Sequence, residues 1–216
     1  MARVSAQAIR NMLKVYFIAG STNVTISLPS VLQQAIDGGI TLFQYREKGS
    51  SAFVGIEKEQ LGLELITICK NNGIPFIMND DVELALKLDA DGVHIGQEDG
   101  NVEEIRKKIG DRILGVSAHN FEEAKAALEA GADYLGVGPV FPTTSKTDTS
   151  EVCGPQFIAE LRELGIEAPI VAIGGISINN ASEVVAGKAD GLSVISAISS
   201  AEAPAIAAKE LNKAWE

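Results

Sequence analysis

Cysteine is scarce in this chain. Only Cys69 and Cys153 occur in 216 residues, far apart and without CxxC spacing. That excludes a disulfide scaffold and suits a reducing compartment in which both thiols are incidental. Histidine is equally sparse, with His94 and His119 alone, and no His/Cys cluster has the spacing of a zinc site. No run approaches the ~20 apolar residues of a membrane-spanning helix. The first ten residues, polar and mixed through Arg10, do not read as a signal peptide. The chain is therefore expected to be soluble and cytoplasmic. Positive charge is in short supply too: 18 Lys and Arg stand against 29 Asp and Glu, a net charge of −11. Nonspecific binding to nucleic acid or an anionic membrane rests on an excess of cations, so neither is an expected partner. An anionic ligand would require cations gathered locally against the overall field.

What is present is ordinary for a globular chain, 46% hydrophobic and 22% charged. Short runs rich in β-branched residues recur along it: Val15–Ile18, Leu42–Tyr45, Pro75–Met78, Gly92–Ile95, Ile113–Val116, Tyr134–Val137, Ile170–Ile173 and Leu192–Ile195. Several are apolar throughout, as parallel strands covered on both faces are. Helical segments separate them. One follows Asn120 as N-cap, with Glu123 three residues on, and stops at Gly131; Asn101 to Gly110 repeats the plan. Ile56 to Cys69 reads as the longest helix and Ala201 to Trp215 as the last. Ala-Asp precedes a strand three times, at Ala90-Asp91, Ala132-Asp133 and Ala189-Asp190, as if one helix-to-strand turn were reused.

Eight βα units in 216 residues allow 27 residues each, room for a strand, a helix and two short loops. The expected fold is α/β: one short (β/α)8 TIM barrel domain spanning residues 1–216, with a helix before the first strand. A doubly wound open sheet is the alternative, but no GxGxxG follows the first strand.

In such a barrel the active site lies at the carboxyl ends of the strands. Gln44-Tyr45-Arg46-Glu47-Lys48 follows the second run, Asn79-Asp80-Asp81 the third and Gly96-Gln97-Glu98-Asp99 the fourth. Ser117 follows the fifth run, and the sixth leads to Thr143-Thr144-Ser145-Lys146. Gly174-Gly175 ends the seventh and Ser196 the eighth. Glycines there let backbone N–H groups approach a phosphate, although the pair could equally be only a tight turn. Arg46, Lys48 and Lys146 bring cations to one mouth and together favour a ligand with more than one phosphate, although Arg46 could instead pair with Glu47 or Asp80. Asp80 and Asp99 follow adjacent strands, and two hard oxygen ligands suit Mg²⁺. One of Asp80 and Asp81 is expected to N-cap the helix starting at Val82, with Asp81 the choice. No GxSxG and no Ser-His-Asp spacing occurs. His94 reads as a packed strand residue, and His119 sits near the mouth without an assigned proton transfer. The site is rich in electrostatics and poor in acid–base groups, as a reaction driven by departure of an anion would be.

These residues carry a resemblance. Gln44-Tyr-Arg-Glu-Lys48, Asn79-Asp80-Asp81, Asp91-Gly-Val-His-Ile-Gly-Gln-Glu-Asp99, Gly115-Val-Ser117, the stretch from Gly131 to Lys146, Val171-Ala-Ile-Gly-Gly-Ile176 and Val194-Ile-Ser-Ala197 resemble, in order and over nearly the whole chain, the thiamine phosphate synthase family. The resemblance implies a transferase joining 4-amino-5-hydroxymethyl-2-methylpyrimidine diphosphate to a thiazole phosphate, with release of pyrophosphate. It implies that Gln44, Tyr45, Arg46, Glu47, Lys48, Asn79, Ser117 and Lys146 meet the pyrimidine diphosphate, with Arg46, Lys48, Lys146 and Ser117 the catalytic set. Thr143, Thr144, Ser145, Gly175, Ile195 and Ser196 would hold the thiazole phosphate, and Asp80 and Asp99 one Mg²⁺ per site. A lid over the site is expected at Pro142 to Val152. A homo-oligomer is compatible with the sequence but does not follow from it. Two alternatives stay open: a thiazole tautomerase, a sister branch expected to lack the diphosphate-binding set, and a barrel that binds thiamine precursors without turnover.

Overall fold

The computed structural model describes residues 3–143 and 151–216. Helix α1 (Ala6–Leu13) comes first, its N-terminus capped by the Ser5 hydroxyl, which accepts the Ala8 N–H. The strands are β1 (Val15–Ala19), β2 (Leu42–Tyr45), β3 (Phe76–Asn79), β4 (Gly92–Ile95), β5 (Ile113–Ala118), β6 (Tyr134–Val137), β7 (Ile170–Ala172) and β8 (Gly191–Val194). They pair in sequence order, all parallel, and close into a barrel where β8 pairs with β1, Phe17 opposite Val194. The eight expected strands all form. The third begins one residue later than the sequence suggests, because Pro75 has no N–H to give a ladder and offers only its carbonyl, to Phe43.

Between the strands run α2 (Leu28–Asp37), α3 (Gly55–Asn71), α4 (Val82–Lys87), α5 (Val102–Ile109), α6 (Phe121–Glu129), α7 (Gln156–Glu163) and α8 (Ala181–Ala186). A short α9 (Ser196–Ser199) and α10 (Pro204–Asn212) follow β8. The Asn caps form as expected: Asn101 Oδ1 accepts the Glu104 N–H at 3.0 Å and Asn120 Oδ1 the Glu123 N–H at 2.8 Å. The closing glycines, Gly110 and Gly131, take positive φ.

Strand alternation divides the apolar residues into two cores. Outward residues such as Phe17, Phe43, Tyr45, Phe76, Val93 and Leu135 pack under the helices. Inward residues, among them Tyr16, Ile18, Leu42, Ile77, Ile113, Tyr134 and Val171, fill the barrel, and Ile9 and Leu13 of α1 join them from the amino end. Burying each such side chain contributes about 1.5–3 kcal/mol. With its floor filled, the barrel can hold a ligand only at the carboxyl end.

The Ala-Asp repeat is an anchoring device at the opposite end. The Oδ2 atoms of Asp91, Asp133 and Asp190 accept the N–H of Phe76, Leu114 and Ile170, respectively, each at 2.8 Å, and so tie down the preceding strand. Two of the three carry an arginine. Arg106 reaches Asp133 at 2.6 Å and the carbonyls of Gly110 and Arg112; Arg162 reaches Asp190 at 2.6 Å and the carbonyls of Ile166 and Ala168.

Candidate active site

The carboxyl ends of the strands enclose a cavity of about 480 Å³. Arg46, Lys48, Asn79, Asp80, Asp99 and Ser117 line one side; Thr143, Gly175, Ile195 and Ser196 come from the loops after β6 to β8 on the other. Ile18, Pro139 and Ile173 supply apolar floor and wall. Loops that lie 150 residues apart in sequence, those of Arg46 and Ser196, thus meet because the barrel closes.

The carboxyls are shifted in opposite directions, and their surroundings explain it. Asp81, not Asp80, caps α4: its Oδ1 accepts the Leu84 N–H at 3.0 Å and its Oδ2 faces Lys58 at 2.6 Å. Asp80 is thereby released, held at a left-handed φ of +59° that directs it into the mouth. Burial pushes its carboxyl above the ordinary range; Lys48 in ion contact opposes that, and neighbouring Asp99 adds to it. Asp99 is also raised by burial, but the Gly96 N–H donated to its Oδ2 at 2.8 Å, together with Asp80 and Lys48, brings its carboxyl below the ordinary range. Its Oδ1 lies 3.9 Å from Lys48 Nζ.

This pair has the chemistry of a cation site. Asp80 Oδ2 is buried and satisfied by the Lys48 ammonium alone, so the only partner of this oxygen among the described residues is itself a cation. Among the described residues no cluster of three or more His, Cys, Asp or Glu side chains is poised to hold a metal. A divalent ion here would take two carboxylates and complete its shell with water and ligand oxygens, the habit of Mg²⁺. Arg46 makes no ion pair with any described residue, so its guanidinium faces the cavity unneutralised.

Gly174 and Gly175 are held by packing as well as by their turn. Both have positive φ and lie against the loop after β6: a Cβ on Gly174 would stand 2.5 Å from Pro139 Cβ, and one on Gly175 2.5 Å from the Pro142 carbonyl oxygen. The packing leaves bare backbone on the cavity wall, a surface suited to an anion.

Three expected ligand contacts are not brought to the cavity. Tyr45 points outward by strand alternation; it is buried between Phe76 and α3, and its hydroxyl donates to the Lys58 carbonyl at 3.2 Å. Glu47 braces two loops instead. Its Oε2 accepts the Ser21 N–H and its Oε1 the Phe53 N–H, each at 2.9 Å, with the Ser21 hydroxyl on Oε1 as well. Gln44 points into the barrel, but below the cavity, with its Nε2 donating to Tyr16 Oη at 2.6 Å. Thr144, Ser145 and Lys146, and with them most of the expected lid, lie outside the described residues.

The structure also draws in residues with no role in the site assigned from the sequence. His94 is buried, but within the barrel, where it touches the cavity; its Nδ1 lies 3.0 Å from Tyr134 Oη and its Nε2 3.0 Å from Ser117 Oγ. Gln97 donates to the Ser117 carbonyl at 2.5 Å and fixes that residue's backbone. His119 reaches the rim, where its Nδ1 pairs with Glu123 at 3.0 Å. The signal for His94 lay in the polar Tyr16 and Tyr134 inside otherwise apolar strands, since a buried phenol requires a partner. Neither thiol lines the cavity: both cysteines are free, Cys153 donates to the Pro139 carbonyl behind the wall at 3.4 Å, and burial, with Asp91 nearby, pushes Cys69 up to about 12.

Comparison with known proteins agrees with this geometry. The family model described as thiamine monophosphate synthase matches residues 15–198. Thiamine-phosphate synthase of Geobacillus thermodenitrificans is 57% identical over 211 residues, covering 98% of this chain and 96% of that one. Its counterpart from Geobacillus kaustophilus is 57% identical over 214 residues, covering 99% and 97%. Among solved structures, a thiamine phosphate pyrophosphorylase from Pyrococcus furiosus superposes with a TM-score of 0.85 at 36% identity, over 95% of this chain and 96% of that one.

Proposed function

The chain belongs to the thiamine monophosphate synthase family, and from that membership we propose how its cavity works. The activity is that of a thiamine-phosphate synthase, a transferase. The substrates we assign are 4-amino-5-hydroxymethyl-2-methylpyrimidine diphosphate and a thiazole phosphate. The observation that carries the assignment is the division of the cavity: cations and paired carboxylates on one wall, bare glycine backbone and hydroxyls on the other.

Arg46 and Lys48 hold the diphosphate, with Asn79 as a neutral polar partner; Lys146 belongs to the same set by its place in the sequence. Asp80 and Asp99 would hold Mg²⁺, which when bound neutralises charge on the departing pyrophosphate. The bond from the exocyclic methylene to the diphosphate oxygen breaks, and its electron pair leaves with pyrophosphate. The electron-rich aminopyrimidine bears the resulting positive charge, and the thiazole nitrogen then donates its lone pair to form the new C–N bond. That nitrogen carries no proton, so no general base is required. Gly175, Ile195 and Ser196, with Thr143, Thr144 and Ser145, orient the thiazole through its phosphate. The apolar wall of Ile18, Pro139 and Ile173 keeps water from the cationic carbon. With two free thiols and no helix long and apolar enough to cross a membrane among the described residues, a cytoplasmic enzyme is the consistent placement.

Calorimetry with inorganic pyrophosphate tests the metal assignment. Binding should require Mg²⁺ and weaken at least about tenfold in Asp99→Asn, the scale of one lost ligand interaction. Equally tight binding in EDTA would contradict it.

A further inference from the structure

A chain of five polar side chains crosses the interior of the barrel and ends at the cavity. Gln44 Nε2 stands 2.6 Å from Tyr16 Oη, Tyr16 Oη 3.0 Å from Tyr134 Oη, Tyr134 Oη 3.0 Å from His94 Nδ1, and His94 Nε2 3.0 Å from Ser117 Oγ. Of these only His94 and Ser117 touch the cavity. The strands make room for the chain deliberately: a Cβ on Gly115 would lie 2.1 Å from Tyr134 Cζ and 2.5 Å from His94 Nδ1, and one on Gly136 3.0 Å from His94 Cε1.

Proton counting gives this chain a direction. An amide nitrogen only donates, so Tyr16 Oη accepts from Gln44 and its single hydrogen goes to Tyr134. The reverse sense would strand the Tyr16 hydrogen in a fully buried position with no acceptor among the described residues. Tyr134, having accepted, gives its own hydrogen to His94 Nδ1. The ring is then neutral with its hydrogen on Nε2, and that N–H is donated to Ser117 Oγ. The Ser117 hydrogen then has no acceptor among these five side chains and is left for the cavity that Ser117 lines. We infer that Tyr16, Tyr134 and His94 are positioning residues that fix Ser117 as a hydrogen-bond donor, directed at an acceptor on the edge of the heteroaromatic substrate such as a ring nitrogen. Burial holds both phenols protonated well above the range of ordinary tyrosines, so the donors persist across working pH. The identity of the acceptor rests on the functional reading above; the direction of the chain does not.

The test uses the whole protein labelled with ¹⁵N-histidine. Two-bond ¹H–¹⁵N spectra separate a bare ring nitrogen from a protonated one, and His119→Gln assigns the signals because the chain has only two histidines. His94 should carry its proton on Nε2 with Nδ1 bare. Tyr134→Phe should move that proton to Nδ1 in a substantial fraction of molecules and raise the KM for the pyrimidine diphosphate about tenfold, the factor one ordinary hydrogen bond carries. The KM for the thiazole phosphate should change less than about twofold, a split that loose packing would not produce. Ser117→Ala should raise the same KM while leaving the His94 tautomer intact. A wild-type Nδ1–H tautomer overturns the inference, as does Tyr134→Phe leaving both tautomer and KM unchanged. If Tyr134→Phe fails to fold, the wild-type tautomer and the Ser117→Ala split still decide. If no thiamine phosphate is made at all, the functional reading fails while the tautomer still decides the direction of the chain.

Discussion

At Asp80, burial and the adjacent Asp99 carboxylate hold a carboxyl above its ordinary range despite the Lys48 ammonium in contact with it. A carboxyl raised in the folded state binds its proton more tightly there than in the unfolded chain. Its contribution to stability is therefore full below the unfolded value of about 3.9, and it is lost as pH rises through the folded value. Ionisation of Asp80 therefore counts against the fold as pH rises. Asp80→Asn should consequently be more stable than the parent at pH 7–8, by about 0.5–2 kcal/mol, and Asn tolerates the left-handed backbone there. The same change should lower kcat by roughly 10²–10³, because the Mg²⁺ that would neutralise the leaving group loses a carboxylate ligand. Thermal melts and steady-state rates on one preparation check both signs; a variant less stable than the parent at pH 8 would contradict the account. Asp81 was legible as the cap because a helix plainly starts at Val82. The inward turn of Asp80 followed from that assignment. Its positive φ did not, since the Asn79-Asp80-Asp81 run reads the same in either backbone state.

Among the elements, the strands were the most legible, because a parallel strand covered on both faces is written as an unbroken apolar run. The Ala-Asp repeat was visible as a reused turn, but its arginine partners were not. Arg106 and Asp133, or Arg162 and Asp190, are a full βα unit apart and meet only when the helix lies back on the sheet. The Arg106–Asp133 pair is largely buried, with side-chain exposures of 14% and 7%, and lies at the end of the barrel opposite the cavity. Arg106→Ala leaves Asp133 with Arg3 as its one counter-ion among the described residues and strips the Gly110 and Arg112 carbonyls of the Arg106 donor. Destabilisation of about 3–5 kcal/mol is expected, as for one partner removed from a buried pair, with both KM values unchanged in the folded fraction. Urea denaturation beside steady-state kinetics separates the two, and a shifted KM at unaltered stability would mean that this end of the barrel reports to the site.

The molecule as a whole places its chemistry by closure. Residues at the carboxyl ends of eight strands converge on one cavity, so the order of polar loops along the sequence was enough to indicate Arg46, Lys48, Asn79, Asp80, Asp99, Ser117 and Ser196. What closure adds is contact across the interior. Tyr16 and Tyr134 are 118 residues apart, and neither strand announces that its tyrosine turns inward to meet the other. Tyr45 and Glu47 show the converse: they sit within the most suggestive motif of the chain, yet alternation turns one outward and a neighbouring loop engages the other. An acidic chain of net charge −11 nonetheless presents Arg46 and Lys48 at its mouth, the local gathering of cations that an anionic ligand would require against the overall field. The most direct measurement supplies purified protein with pyrimidine diphosphate, thiazole phosphate and Mg²⁺, and follows thiamine phosphate and pyrophosphate with and without EDTA. Equal amounts of both products, abolished by EDTA, are the predicted result. Binding of either substrate without turnover, or turnover indifferent to EDTA, would contradict the account.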